Sequence, residues 1–170
     1  SFLNGKIIHR ISATTNKGIE ELKSYLVNYK FNNYRNDKAI FRLFIDRVFK
    51  SKGFGTIITG TVISGKVKIG DKLKILPQNK EIKVRGLETH NNKSKQLIIG
   101  NRAAINIQSN DKINIKRGNH ISDISYFNIY EQAIVSITVL SKTKKNIKNN
   151  DRLRIYIGTQ EVMARIYIFG

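Results

Sequence analysis

Apolar positions follow two different rhythms along the chain. Over residues 19–27, Ile19, Leu22, Leu26 and Val27 recur at helical spacing. Glu20 and Glu21 stand in the first turn, where the helix dipole favours anions, and Lys23 and Lys30 follow later. Ahead of that helix, Ile7-Ile8-His9-Arg10-Ile11 predicts a short strand that ends in the polar run Ser12-Ala13-Thr14-Thr15-Asn16-Lys17-Gly18, where Thr14 or Thr15 would serve as N-cap. Residues 32–38 are polar and Asn-rich, a linker by composition. Beyond them the helical rhythm is gone. Ile40, Arg42, Phe44 and Asp46 alternate with Phe41, Leu43, Ile45 and Arg47, a strand covered on much of both faces. Gly53-Phe54-Gly55 breaks that run, and residues 56–63 are β-branched almost throughout. Ser64-Gly65 predicts a two-residue hairpin and Gly70-Asp71 a second turn. Further strands are predicted over 72–76, 82–88, 102–107 and 120–123.

Short strands at turn-marked spacing, with no helix between them, predict an antiparallel barrel or sandwich, and closure removes the free edges of so β-rich a sequence. The last segment predicts strands near 130–140, 152–157 and 161–169, with the polar stretch 142–150 as the hairpin loop between the first two. Three strands make an incomplete barrel. The opening strand–loop–helix has no parallel partner strand after it, and reads as the tail of an α/β domain. The expected organisation is therefore 1–38, the end of an α/β domain with its linker; 39–125, a β-barrel; and 126–170, part of a second β-barrel. The chain is mostly β.

Charge changes the picture. The 31 Lys and Arg against 12 Asp and Glu give a net charge of +19. Such a charge favours a polyanion partner, most often nucleic acid. Codon bias in a chain so rich in Ile, Lys and Asn accounts for some of the lysines. With no Cys there is no disulfide framework and no thiolate metal site. The mean hydropathy of −0.33 and the lack of any apolar run near ~20 residues point to a cytosolic chain without a membrane span. No cluster has metal-ligand spacing and no Ser/His/Asp set reads as catalytic; His9 and His120 stand singly in strand patterns.

The stretch 41–49, the run Gly53 to Asp71 without a break, Val84-Arg85-Gly86-Leu87-Glu88, residues 100–107 and Lys116-Arg117-Gly118-Asn119 resemble, in order and spacing, the second domain of elongation factor Tu-type translational GTPases. The resemblance implies a six-stranded antiparallel Greek-key barrel. Within that family, Ile45-Asp46-Arg47-Val48-Phe49 and the core Gly158-Thr159-Gln160-Glu161-Val162 through Arg165 resemble the selenocysteine-specific factors, the latter in their third domain. Ser12-Ala13 with Gly18 resembles the last guanine-contacting loop of a GTPase domain.

The resemblance implies an aminoacyl pocket for selenocysteine lined by Asp46, Arg47 and Arg102. Glu88 and His90 fall where the family holds the tRNA 3′-terminal adenosine; Asn91 replaces an Arg that follows there in the general elongator. Taken alone, Asp46 and Arg47 would be a surface ion pair of little worth, and Glu88 and His90 an exposed loop. Lys142, Lys144, Lys145 and Lys148 form a basic hairpin tip with equal claim to tRNA phosphates or to solvent.

No G-x-x-x-x-G-K-[ST] phosphate loop and no Asn-Lys-x-Asp occurs in the sequence. The chain by itself is therefore expected to be no enzyme and to hold no cofactor, with GTP and Mg2+ belonging to a longer parent GTPase. The implied partners are selenocysteyl-tRNA, and through the parent the ribosome and a selenoprotein mRNA hairpin. The incomplete last domain predicts self-association. Competing readings are another translational GTPase (a general elongator or initiation factor), a nucleotide-activating subunit built on the same scaffold, and a nonspecific basic barrel that binds any RNA.

Overall fold

A computed structural model describes residues 7–29, 40–51, 55–109, 111–140, 143 and 146–169. The chain forms two compact units, residues 1–34 with 137–144, and residues 35–136 with 145–170. The predicted linker at 32–38 and the lysines Lys142, Lys144 and Lys145 lie outside the described residues.

In the first unit a loop closed by a bridge between Ser12 and Lys17 leads into α1 (Ile19–Asn28). The helix N-cap is Gly18 rather than Thr14 or Thr15. Gly18 has φ 71°, and a Cβ there would stand 2.4 Å from the Arg10 carbonyl oxygen, so the turn admits only glycine. Ser12 Oγ accepts a hydrogen bond from the Thr15 amide at 3.3 Å, a local turn that ends before the helix. Residues 7–11 are not in a strand, because no ladder partner stands beside them among the described residues. His9 instead lies against Tyr25, with ring centroids 4.7 Å apart.

The second unit contains β1 (Arg42–Ser51), β2 (Gly55–Ser64), β3 (Lys66–Lys68), β4 (Lys72–Leu76), β5 (Lys80–Thr89), β6 (Asn92–Ser94), β7 (Gln96–Ile98), β8 (Arg102–Gln108), β9 (His120–Ser122), β10 (Arg152–Ile157) and β11 (Gln160–Arg165). Hydrogen-bonded neighbours run β4-β9-β1-β2-β8-β5, and β4 also pairs with β5, which closes six antiparallel strands into a barrel. Alternate residues point inward: Leu43, Ile45, Ile58, Leu73, Ile75 and Ile105 are fully buried. β6 extends β5, while β3 and β7 pair with each other in a separate ribbon.

Two further sequence expectations are corrected. Ser64-Gly65 does not close a hairpin. Gly65, at φ 66°, turns the chain out of the barrel, and β3 finds its partner in β7. Residues 130–140 form no strand, although their pattern suits one. No neighbour pairs with them among the described residues, and Ile134 is 96% exposed. The final segment contributes a hairpin, β10–β11, with Gly158-Thr159 as its two-residue loop between Ile157 and Gln160.

Candidate aminoacyl and nucleic-acid interface

The geometry begins with an irregularity. β1 pairs with β2 as Ile45↔Gly60 and then Arg47↔Thr59, so Asp46 is the extra residue of a β-bulge. The bulge resets the strand's phase. Leu43 and Ile45 face the core, and the next residue packed against it is Val48, three positions on. Arg47 is thereby exposed instead of inward. The bulge also aims the Asp46 side chain along the outer surface of β2. Thr59 Oγ1 donates to Asp46 Oδ1 at 2.6 Å. Arg102 Nη1, from β8, is ion-paired with Asp46 Oδ2.

Burial acts to raise the Asp46 carboxyl. The hydrogen bonds from Arg102 and Thr59 and the positive charges of Arg102 and Arg47 outweigh it, leaving the group below its ordinary value of 3.8. Its side chain is 22% exposed and that of Arg102 44%. The three residues named from the sequence thus stand together. One carboxylate lies within the field of two guanidiniums, leaving one net positive charge at a half-open surface.

The register extends this face. Arg47 is opposite Thr59, Thr59 opposite Ala104, Ala104 opposite Glu88, and Glu88 opposite Lys93. Glu88 and Arg47 therefore share one row across four adjacent strands, about 14 Å apart in the sheet direction at roughly 4.8 Å per strand. His90, φ 49°, and Asn91, φ 63°, form the two-residue loop between Thr89 and Asn92, a type I′ turn at the end of the same strand as Glu88. Ser12 and Ala13 lie in the other compact unit.

His120 is structural. Its Nε2 accepts from Arg42 Nε at 3.5 Å, and its ring lies 4.9 Å from Phe44 and 5.2 Å from Phe127. Burial, with the Arg42 charge, pushes it down to about 4. No group of three or more metal-ligating side chains comes together among the described residues, and no helix there is long and apolar enough to cross a membrane. Sequence reasoning missed Thr59, the donor that fixes Asp46; its only signal was its place in a β-branched run.

Residues 55–122 match the family model of elongation factor Tu domain 2. The selenocysteine-specific elongation factor of Desulfomicrobium baculatum is 32% identical over 169 residues, 98% of this chain and 26% of that protein. The chain belongs to the elongation factor Tu-like family, on its selenocysteine-specific branch. Among solved structures, a bacterial selenocysteine-specific elongation factor superposes with a TM-score of 0.75 at 28% identity, covering 98% of this chain and 28% of that one. The translation elongation factor SelB of Methanococcus maripaludis, solved in complex with the GTP analogue GppNHp, gives a TM-score of 0.70 at 28% identity over 90% of this chain and 34% of that one. The chain thus spans about a quarter to a third of the length of these selenocysteine-specific factors. The barrel named by the family model carries Arg102, Glu88 and His90, and β1, just before its first matched residue, carries Asp46 and Arg47.

Proposed function

We propose that this chain is the part of a selenocysteine-specific translation elongation factor that holds the charged 3′ end of selenocysteyl-tRNA, with the amino acid at Asp46, Arg47 and Arg102. The observation that carries the reading is the bulge-borne Asp46 lying between two guanidiniums on one barrel face. A selenol ionises more readily than a Cys thiol, whose ordinary pKa is about 8.5, so selenocysteine arrives as an anion and serine as a neutral hydroxyl. One net positive charge favours the first. At 4 Å and an effective dielectric near 20, a charge pair is worth about 4 kcal/mol before desolvation and salt reduce it, against about 1.4 kcal/mol for each tenfold of selectivity. Asp46 orders Arg102 and accepts from the aminoacyl amine. Glu88 and His90, a span of about 14 Å from Arg47 along the row, take the terminal ribose and adenine by hydrogen bonding and stacking.

Ser12 and Ala13, in the loop where Ser12 Oγ accepts from the Thr15 amide, would be what remains here of the guanine-contacting loop. GTP and Mg2+ are assigned to the rest of a cytoplasmic parent protein, which hydrolyses GTP and delivers its cargo to the ribosome at a selenoprotein mRNA hairpin. Residues 1–38 would belong to its GTPase domain, 39–125 to its second domain and 126–170 to its third. Exposed Ile134, Tyr130 and Phe169 support self-association of this chain in isolation.

The test is protection of selenocysteyl-tRNA and seryl-tRNA from deacylation by the full-length protein with GTP. Selective protection of the selenocysteyl ester, lost in Arg47→Ala and in Arg102→Ala, is expected. Equal protection of both esters overturns the reading in favour of a general elongator, and protection of neither in favour of a nonspecific basic barrel.

A further inference from the structure

The tip of the β10–β11 hairpin rests on the backbone of the residue just before Asp46. Thr159 Oγ1 donates to the Ile45 carbonyl at 2.6 Å, a contact between residues 114 positions apart in sequence. The same carbonyl accepts from the Gly118 amide at 2.9 Å, and the Ile45 amide donates to the Asn119 carbonyl at 2.8 Å. Arg117 Nε in turn donates to the Thr159 carbonyl at 3.3 Å. The Ile45 peptide is thus held by the turn at 117–119 on one side and by the hairpin tip on the other.

Two glycines make so close an approach possible. A Cβ on Gly158, at φ 59°, would meet Phe44 ring carbons at 2.5–2.7 Å, and one on Gly118 would meet Gln160 at 2.9–3.1 Å. The register shift of β1 begins at Ile45, so the anchored peptide is the first half of the bulge itself. A bulge is a soft place in a ladder, since its extra residue lacks a partner. Whatever fixes its flanks decides where that residue points.

We propose that Thr159 is a positioning residue for the Asp46–Arg102 pair: its hydroxyl clamps the Ile45 carbonyl and so fixes the bulge that aims Asp46 across β2. Movement of the C-terminal hairpin is then felt at the carboxylate, which gives that hairpin control over the site. The functional consequence rests on the aminoacyl-pocket reading; the coupling itself does not.

The experiment titrates the Asp46 side-chain carboxyl by carbon-detected NMR in the 170-residue chain. Thr159→Val, which exchanges the hydroxyl for a methyl group, is expected to move the Asp46 midpoint up toward the ordinary carboxylate value, and Thr159→Ser to restore it. Gly158→Ala keeps the hydroxyl but pushes the tip off Phe44, and is expected to move the midpoint the same way. A merely stabilising contact would lower the melting temperature and leave the native-state midpoint in place. A midpoint unmoved in both Thr159→Val and Gly158→Ala overturns the coupling, as does a Thr159→Ser variant that behaves like Val. A midpoint that moves while the full-length variants keep their selenocysteyl over seryl preference upholds the coupling and removes the pocket reading instead.

Discussion

Asp46 and Arg102 are ion-paired although their strands are not neighbours in the sheet: β1 and β8 both pair with β2, and the contact passes over it. Thr59, on that middle strand, holds the other carboxylate oxygen at 2.6 Å. The lowered carboxyl gives the pair a definite response to acid. Its contribution is fully present above the ordinary value of 3.8 and is lost as pH falls through the lower native value. Asp46→Asn should therefore cost about 1 kcal/mol at pH 7, with less of a difference from the parent sequence as the solution is acidified. Urea unfolding at pH 7 and at pH 3 checks this.

His120 responds in the same direction, its native state again favouring the deprotonated form, but in a different window. Its folded value near 4 lies below the ordinary 6.5, so the unfolded chain binds the extra proton between those limits. Stability from this group is complete above pH 6.5 and falls as pH drops toward 4, by at most about 1.4 kcal/mol per pH unit. Protonation at Nε2 also breaks the bond from Arg42. In His120→Gln the slope of unfolding free energy between pH 6.5 and 4.5 should flatten.

Gly60 is demanded by the approach of β1 beside the bulge. A Cβ there would lie 2.3 Å from the Phe44 carbonyl oxygen and 2.7 Å from a Leu43 methyl. The obstacle is backbone and cannot rotate away. Gly60→Ala should destabilise the barrel by about 1–3 kcal/mol, with a visible shift of the β1–β2 amide resonances. Gly70→Ala is the contrasting control for space, since nothing lies within 4 Å of a Cβ there, although its φ of 96° still strains an alanine.

The turn at His90-Asn91 offers a separation of stability from binding. Both residues sit in the left-handed region, which Asn tolerates better than most side chains. His90→Asn should leave thermal stability unchanged or raise it by a few tenths of a kcal/mol, up to about 1. Where His90 stacks on the terminal adenine, the same variant weakens tRNA-end binding. Calorimetry and a charged-tRNA binding assay on one preparation read both effects.

Much of the barrel was legible because period-two burial and turn residues are local signals. The strand at 72–76 was found with its exact limits, and those at 102–107 and 120–123 to within one residue. Elsewhere the local signal was present but the neighbour was not. Residues 130–140 carry strand-like residues with nothing to pair with among the described residues, and Ser64-Gly65 has turn chemistry that serves a different partner. The bulge leaves a trace in the sequence, since Leu43, Ile45 and Val48 cannot share one face of a regular strand. Arg102 lies 56 positions from Asp46, and only inter-strand register brings them together. That is why family resemblance, and not periodicity, pointed to the pair. Thr159 lies in the run that resembles the third domain of the family, but no local pattern reveals its hold on Ile45.

The ring is sealed by a late arrival. β4 pairs with β5 soon after both are made, yet its other edge and that of β1 wait for His120–Ser122. A nascent chain cut short before residue 120 would expose two raw edges, one on each side of the gap. Synthesis must therefore carry the growing polypeptide past that point before the sheet can shield itself from sticking to other chains. Ribosome-stalled chains ending on either side of β9, allowing for the exit tunnel, should differ sharply in protease resistance.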